Sequence, residues 1–179
     1  TGSGNIQIYR GFGGDITGLY AFAGNLFIFK RTKIFRMQQA ATINEVSIEI
    51  VSPNIGTISH HSIQEAGPEG GGYLMFMSDS GVEALIPTER AGSFITRDAS
   101  QPISELIRKR NMAYADNTFS VFNNERKEYY SWAPATGKSV PAFAYIANTA
   151  RRRKPVRWTR ADLGNMTAGT MLKSSGEYI

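Results

Sequence analysis

The sequence predicts an all-β chain of antiparallel meanders with one short helix near residues 102–110, and three observations predict it. The pair Gly24-Asn25 sits inside the run Leu19-Tyr20-Ala21-Phe22-Ala23-Gly24-Asn25-Leu26-Phe27-Ile28-Phe29-Lys30. Gly and Asn tolerate the positive φ of a tight hairpin turn, and aromatic flanks suit a buried pleated surface. A similar phrase returns as Gly72-Tyr73-Leu74-Met75-Phe76-Met77, then Ser78-Asp79-Ser80-Gly81, then Val82-Glu83-Ala84-Leu85-Ile86. Turn residues recur at loose intervals: Asn25 to Ser80 is 55 positions, Ser80 to Asn124 is 44, and Asn124 to Ser175 is 51. Blades of β-propellers repeat at about 40–50 residues, so the meanders resemble blades.

Gly11-Phe12-Gly13-Gly14 breaks the chain before the first meander, whose strands are expected at 16–23, 25–31 and 33–38. Over 45–51, Val46, Ile48 and Ile50 alternate with Glu45, Ser47 and Glu49, the period of a half-buried strand. Pro53-Asn54-Ile55-Gly56 ends it, and Thr57 to Glu65 offers another strand. The Gly-rich stretch 67–72 reads as a loop, followed by strands at 73–78 and 82–86 around an Asp79-Ser80-Gly81 turn.

The helix is expected from Ser100 as cap, Pro102 in the first turn, and Ile103, Leu106 and Ile107 on one face. Arg108, Lys109 and Arg110 fall in its last turn, where cations suit the helix dipole. Strands resume at 112–116, 118–123, 127–133, 141–147 and 155–159, and a final meander starts near Met166. Phe27, Phe29, Tyr73 and Phe76 are the expected core, with Trp158 in a Val-x-Trp strand phrase.

Apolar residues make up 41% of the 179 positions and charged ones 20%, which fits a globular chain and not a disordered one. No apolar run approaches the ~18 residues of a membrane-spanning helix, so no span is expected. Cysteine is absent, which excludes disulfides, Cys-ligated zinc and a thiol nucleophile. The net charge of +5 permits contact with nucleic acid or an acidic partner and demands neither. The chain begins Thr1-Gly2-Ser3-Gly4 and stops at Gly176-Glu177-Tyr178-Ile179 as another strand starts. Residues 1–179 are therefore expected to be one β-rich, partial propeller-like region of a longer polypeptide. A propeller needs ~4–8 blades to close, and this chain holds about three.

Taken in order, the phrases over 16–160 resemble a family of tailed-phage tail proteins. They are the 18–29 run, Lys33-Ile34-Phe35-Arg36-Met37, and Val51-Ser52-Pro53-Asn54-Ile55-Gly56-Thr57-Ile58-Ser59. Then come the 72–82 phrase, Ile103-Ser104-Glu105-Leu106-Ile107, Glu128-Tyr129-Tyr130-Ser131-Trp132 and Trp158. In that family such phrases build a propeller-like β domain in proteins of the nozzle, tail tube or head-to-tail junction. The resemblance implies a non-enzymatic structural role in the virion after synthesis in the host cytoplasm. It also implies a ring of copies, with neighbouring tail or portal-adaptor proteins as partners and DNA passing through the lumen.

Chemistry-bearing patterns are sparse, and no cofactor is expected. His60-His61 are the only histidines; on a strand, neighbours point to opposite faces and would not share a metal. Met77-Ser78-Asp79-Ser80-Gly81 resembles the Asp-box turn of sialidase-like propellers, but departs from it at Met77 and lacks a Trp after Gly81. Asp15, Glu45, Glu49, Glu83 and Asp116 are scattered, and no spacing pairs two of them for glycoside hydrolysis. The Gly stretches 11–14 and 67–72 lack the Lys and the strand-to-helix context of a phosphate loop.

The sharpest charged feature is Arg151-Arg152-Arg153-Lys154, continued by Arg157 and Arg160. Arginine forks suit phosphates and carboxylates. Three readings of these six cations stay open: DNA phosphates in a lumen, an acidic patch on a partner, or a solvated hairpin tip. Against the tail-ring reading stand two others, a glycan-binding or glycan-degrading propeller of a host-adhesion protein and a scaffold propeller.

Overall fold

The computed structural model describes residues 8–38, 46–67, 72–90, 92–150 and 156–162. Strands in these residues form three antiparallel sheets of four, each a meander in chain order. The first holds β1 (Ile16–Phe22), β2 (Asn25–Lys30), β3 (Ile34–Gln38) and β4 (Ile48–Ser52). The second holds β5 (Gln64–Ala66), β6 (Tyr73–Met77), β7 (Val82–Pro87) and β8 (Phe94–Asp98). The third holds β9 (Phe119–Asn123), β10 (Glu128–Pro134), β11 (Pro141–Asn148) and β12 (Arg157–Asp162). One short helix, α1 (Ser104–Ile107), lies between the second and third sheets in sequence. The all-β, blade-like meanders expected from the sequence are present.

Alternation along the strands decides how the sheets stack. Phe27, Phe29 and Ile34 leave the first sheet on one face and meet Leu74, Phe76 and Leu85 of the second. Met75, Met77 and Val82 leave the second sheet on its other face and meet Tyr129, Ala133, Tyr145 and Ala147 of the third. The middle sheet is thus packed on both sides. The faces of the end sheets turned away from it are apolar as well. Leu19, Ile28, Phe35 and Ile50 are consecutive cross-strand partners spanning all four strands of the first sheet. Phe119, Trp132 and Ala144 form the matching row on the third.

The repeat is real, but its phase differs from the turn spacing in the sequence. Asn124 lies between the first and second strands of its meander, whereas Ser80 lies between the second and third. First strands begin at Ile16, Gln64 and Phe119, 48 and 55 positions apart. The first hairpin is also displaced by one residue. Phe22 pairs with Asn25, so the turn residues are Ala23 and Gly24, both at positive φ (48° and 71°). Asn25 is already in strand, and its side-chain amide donates to the Ala23 carbonyl at 2.7 Å.

Two expected strands are mostly helical turns. Residues 57–65 give a 3-10 turn at His60–Ser62 and only the start of β5. Here hydroxyls take the bonds a ladder would use. Thr57 Oγ1 donates to the Met77 carbonyl at 2.9 Å, and Ser62 Oγ accepts from the Met77 N–H at 3.1 Å. Residues 112–116 fall in a 3-10 stretch, Met112–Asn117, started by the Asn111 side chain accepting from the Ala113 N–H at 3.2 Å.

The helix is shorter than expected, a 3-10 turn at Gln101–Ile103 running into α1. Ser100 does not cap it; its hydroxyl accepts from the Val82 N–H and donates to Asp98. The apolar face holds, with Ile107 fully buried and Ile103 and Leu106 packed beside it. Strand β8 has no counterpart among the expected strands, and β12 runs later than 155–159. The meander expected from Met166 lies outside the described residues.

Gly56 marks the closest approach of the connector to the first sheet. A Cβ there would meet the Lys30 carbonyl oxygen at 1.8 Å, and that carbonyl accepts from the Thr57 N–H. Among the described residues no helix is long and apolar enough to cross a membrane.

Candidate functional site

The first strands of the three meanders approach one another at one end of the stack. Strand β5 touches β9, and the His60–Ser62 turn touches both β1 and β9. The Tyr129 hydroxyl, reaching in from β10, donates to the Ser62 carbonyl at 2.9 Å and lies 2.8 Å from Ser120 Oγ. Where these elements converge they leave a cleft of about 620 Å³.

Each sheet contributes to it. Tyr20 comes from β1, His60 and His61 from the turn, and Ile63 and Gln64 from the entry to β5. The opposite wall is Asp116, Asn117, Thr118, Phe119 and Ser120. His60 Nδ1 accepts from the Leu19 N–H at 3.4 Å, which turns the rest of the ring outward. Asn117 donates through Nδ2 to the Ser139 carbonyl at 2.9 Å, leaving its own carbonyl oxygen outside that bond. Thr118 is 1% exposed, and its Oγ1 has no hydrogen-bond partner. Burial pushes the Tyr20 hydroxyl pKa up, and the Glu65 backbone N–H pulls partly against it.

His60 and His61 are therefore not on a strand with opposed side chains. They sit on a 3-10 turn, their rings 5.6 Å apart, and both border the same cleft. Among the described residues no three His, Asp or Glu side chains come together as metal ligands.

The carboxylates singled out in the sequence lie in different settings. Glu49 pairs with Arg36 at 2.5 Å. Arg36 in turn donates to the Gly92 carbonyl and lies over the Phe94 ring. Glu83 is 2% exposed and stands cross-strand from Asp98. Burial first, then the Asp98 charge, push its pKa up, while the Ser80 and Ser78 hydroxyls oppose the rise. Its Oε2 has no partner. Asp15 is exposed, Asp116 is on the cleft, and Glu45 lies outside the described residues.

Asp79 in the β6–β7 turn takes a fork from Arg31 at 2.8 and 3.1 Å and so ties the first two sheets. Arg110 ties that turn to the helical segment. Its guanidinium donates to the carbonyls of Ile107, Ser78 and Asp79 at 2.8, 3.0 and 2.9 Å. Burial lowers its pKa, and both Tyr145 and Asp79 oppose that.

Of the six cations, Arg151, Arg152, Arg153 and Lys154 lie outside the described residues. Arg157 and Arg160 are both exposed on β12 but point to opposite faces of it, since they are three positions apart. Arg157 stands over a groove with Glu128, Asn148 and Thr159. Arg160 lies 3.9 Å from the centre of the Phe143 ring. The two do not form one patch.

The cleft residues Tyr20, Gln64 and Asn117 carry no sequence signature, because only sheet stacking brings them together. The signal that was available was His60-His61, the two histidines of the chain, adjacent in sequence. The chain matches no family model and no curated protein sequence.

Proposed function

We propose that the chain is a non-enzymatic structural protein of a tailed-phage virion. In this reading it forms part of a tail ring, at the nozzle, the tube or the head-to-tail junction, through which DNA passes. The phage assignment rests on the ordered phrases over 16–160. The structural observation that carries the ring reading is the apolar row on the outward face of the first sheet.

Ile28 and Phe35 at the centre of that row are buried, with Tyr9 stacked on Phe35 at 5.2 Å. Leu19 and Ile50 at its ends are 46% and 43% exposed. A strand that faced water would put Glu49 outward and Ile50 inward. In β4 Glu49, still exposed, pairs with Arg36 on one face, and Ile50 is left exposed on the other. A sheet apolar on both faces suits a position between two neighbours. Copies joined head to tail through such faces close into a ring when the rotation permits.

The test is the native mass of the full polypeptide by light scattering, alone and in the virion fraction. A ring that falls apart in Leu19→Asp/Ile50→Asp, with each copy still folded, supports the proposal. A monomer at every concentration, absent from purified virions, refutes it.

A further inference from the structure

We propose that the cleft between the first strands of the three meanders binds a neutral, polyhydroxylated ligand of the saccharide class. This site is separate from the outward face that carries the ring reading, and neither depends on the other.

The lining chemistry selects the ligand. Side-chain amides present both donors and an acceptor, and an imidazole ring carries two nitrogens able to hydrogen-bond. Sugar hydroxyls, which donate and accept in turn, need such mixed partners. His61 and Gln64 supply them on one wall, where His60 keeps its Nε2 edge beyond the Leu19 bond, and Asn117 supplies its carbonyl oxygen on the other. Tyr20, tied to the Glu65 backbone and partly buried, supplies a ring to cover an apolar C–H face. Thr118 Oγ1 lies in the same wall without a partner, a polar group at the site that the protein leaves unsatisfied.

Among the described residues no Lys or Arg lines the cleft. Phosphates, sulfated chains and nucleic-acid backbones therefore lack the cation that would hold them. Among the described residues Asp116 is the only carboxylate on the lining, so they do not assemble the paired acids of glycoside hydrolysis here. The arrangement suits binding and not cleavage. The volume of about 620 Å³ falls within the range of small-ligand sites. The walls stand on or beside strands of all three sheets, which holds the polar groups in place without a closing loop.

The experiment is a ¹H–¹⁵N NMR titration of the chain with glucose, galactose, N-acetylglucosamine and maltose, each to about 10 mM, enough to catch millimolar affinity. Inorganic phosphate and a thymidine oligonucleotide are the contrasting probes. The expected result is that at least one sugar shifts the resonances of His60, His61, Gln64 and Asn117. Gln64→Ala and Asn117→Ala should each weaken that binding about fivefold, the loss of one neutral hydrogen bond, with the fold retained in both by its NMR spectrum. If no sugar in the set moves these resonances, or phosphate or the oligonucleotide moves them at lower concentration, the proposal is overturned. Sugar binding that both variants retain overturns it too.

Discussion

The seam between the first and second sheets is closed by rings, whereas the seam between the second and third is closed by thioethers and small side chains pinned by hydroxyls. In the first, Phe29 meets Phe76 edge-on at 5.1 Å, and Phe94 meets Phe27 at 4.9 Å. In the second, Met75, Met77 and Val82 face Tyr129 and Tyr145. The Tyr145 hydroxyl donates to the Leu106 carbonyl at 3.3 Å, and the Tyr129 hydroxyl to the Ser62 carbonyl. Ring packing is sensitive to lost volume. A seam with polar pins is sensitive to the loss of a single hydroxyl, because a buried carbonyl such as that of Ser62 then loses its side-chain donor. The same fold unit is thus held in place in two ways.

The sharpest way to break that comparison is to remove volume from the first seam. Phe76 is fully buried, and Phe76→Ala is expected to cost about 3–5 kcal/mol in a urea melt. Met75, equally buried on the opposite face of the same strand, belongs to the cluster of Met77, Val82 and Tyr145. Met75→Ala is expected to cost less, toward the low end of about 2–5 kcal/mol. Equal losses would show that both seams respond to volume alone.

Next in size is Tyr129→Phe, which removes one oxygen and no packing. The Ser62 carbonyl and the Ser120 hydroxyl lose a common partner, and the expected cost is about 1–3 kcal/mol by the same melt. Removing a Ser120–Tyr129 contact should also loosen one wall of the cleft. A neutral outcome would mean that the second seam is held by packing, like the first.

Much of this was legible in the sequence, and the parts that were not share a cause. The aromatic strands β2 and β6 declare themselves because Phe27, Phe29 and Phe76 stand in runs of β-forming residues flanked by small turns. Strand β8 does not. Phe94-Ile95-Thr96-Arg97-Asp98 is short and mostly exposed, and it is strand because β7 offers an edge. The 57–65 segment misleads in the other direction. Its Thr, Ser and His side chains look extended, but Thr57 and Ser62 bond to backbone and turn the chain. The cleft was least legible, because the meeting of Tyr20, Gln64 and Asn117 depends on stacking that no local pattern encodes.

A polar end of the first seam sharpens the contrast through pH. Glu83 projects on the same face as Leu85, so a carboxyl caps an otherwise ring-filled interface. Its pKa is raised in the folded state by burial and by Asp98. A carboxyl with a raised folded pKa favours the fold when protonated, so its contribution is fully present below the unfolded value. That contribution is lost as pH rises through the folded one. Glu83→Gln mimics the protonated form. It is expected to stabilise the protein at pH 8 by about 1 kcal/mol, or about 2–4 °C in melting temperature. The gain should shrink as the pH is lowered toward 4. A gain independent of pH would mean that Glu83 stays neutral throughout or that its charge is fully compensated.

The smallest expected effect compares two equivalent turns, each joining the first strand of a meander to the second. At β9–β10, Asn123 Oδ1 accepts from the Glu125 and Arg126 N–H groups, both at 3.0 Å, so a side chain organises the turn. At β1–β2, Ala23 holds a φ of 48° with only the Asn25 amide against its carbonyl. A left-handed conformation costs an L-residue with a Cβ about 1–2 kcal/mol, and Asn recovers part of that. Ala23 is exposed and precedes Gly24, so Ala23→Asn would create the Asn-Gly pair favoured in two-residue hairpins. The expected gain is about 0.5–1 kcal/mol in a thermal melt, with no change in the cleft resonances. In the other turn Asn123 already organises the backbone through its side chain, so the converse change, Asn123→Ala, should lose a comparable amount. If Ala23→Asn is neutral while Asn123→Ala is costly, the first hairpin is fixed by its aromatic strands and its turn residues matter little.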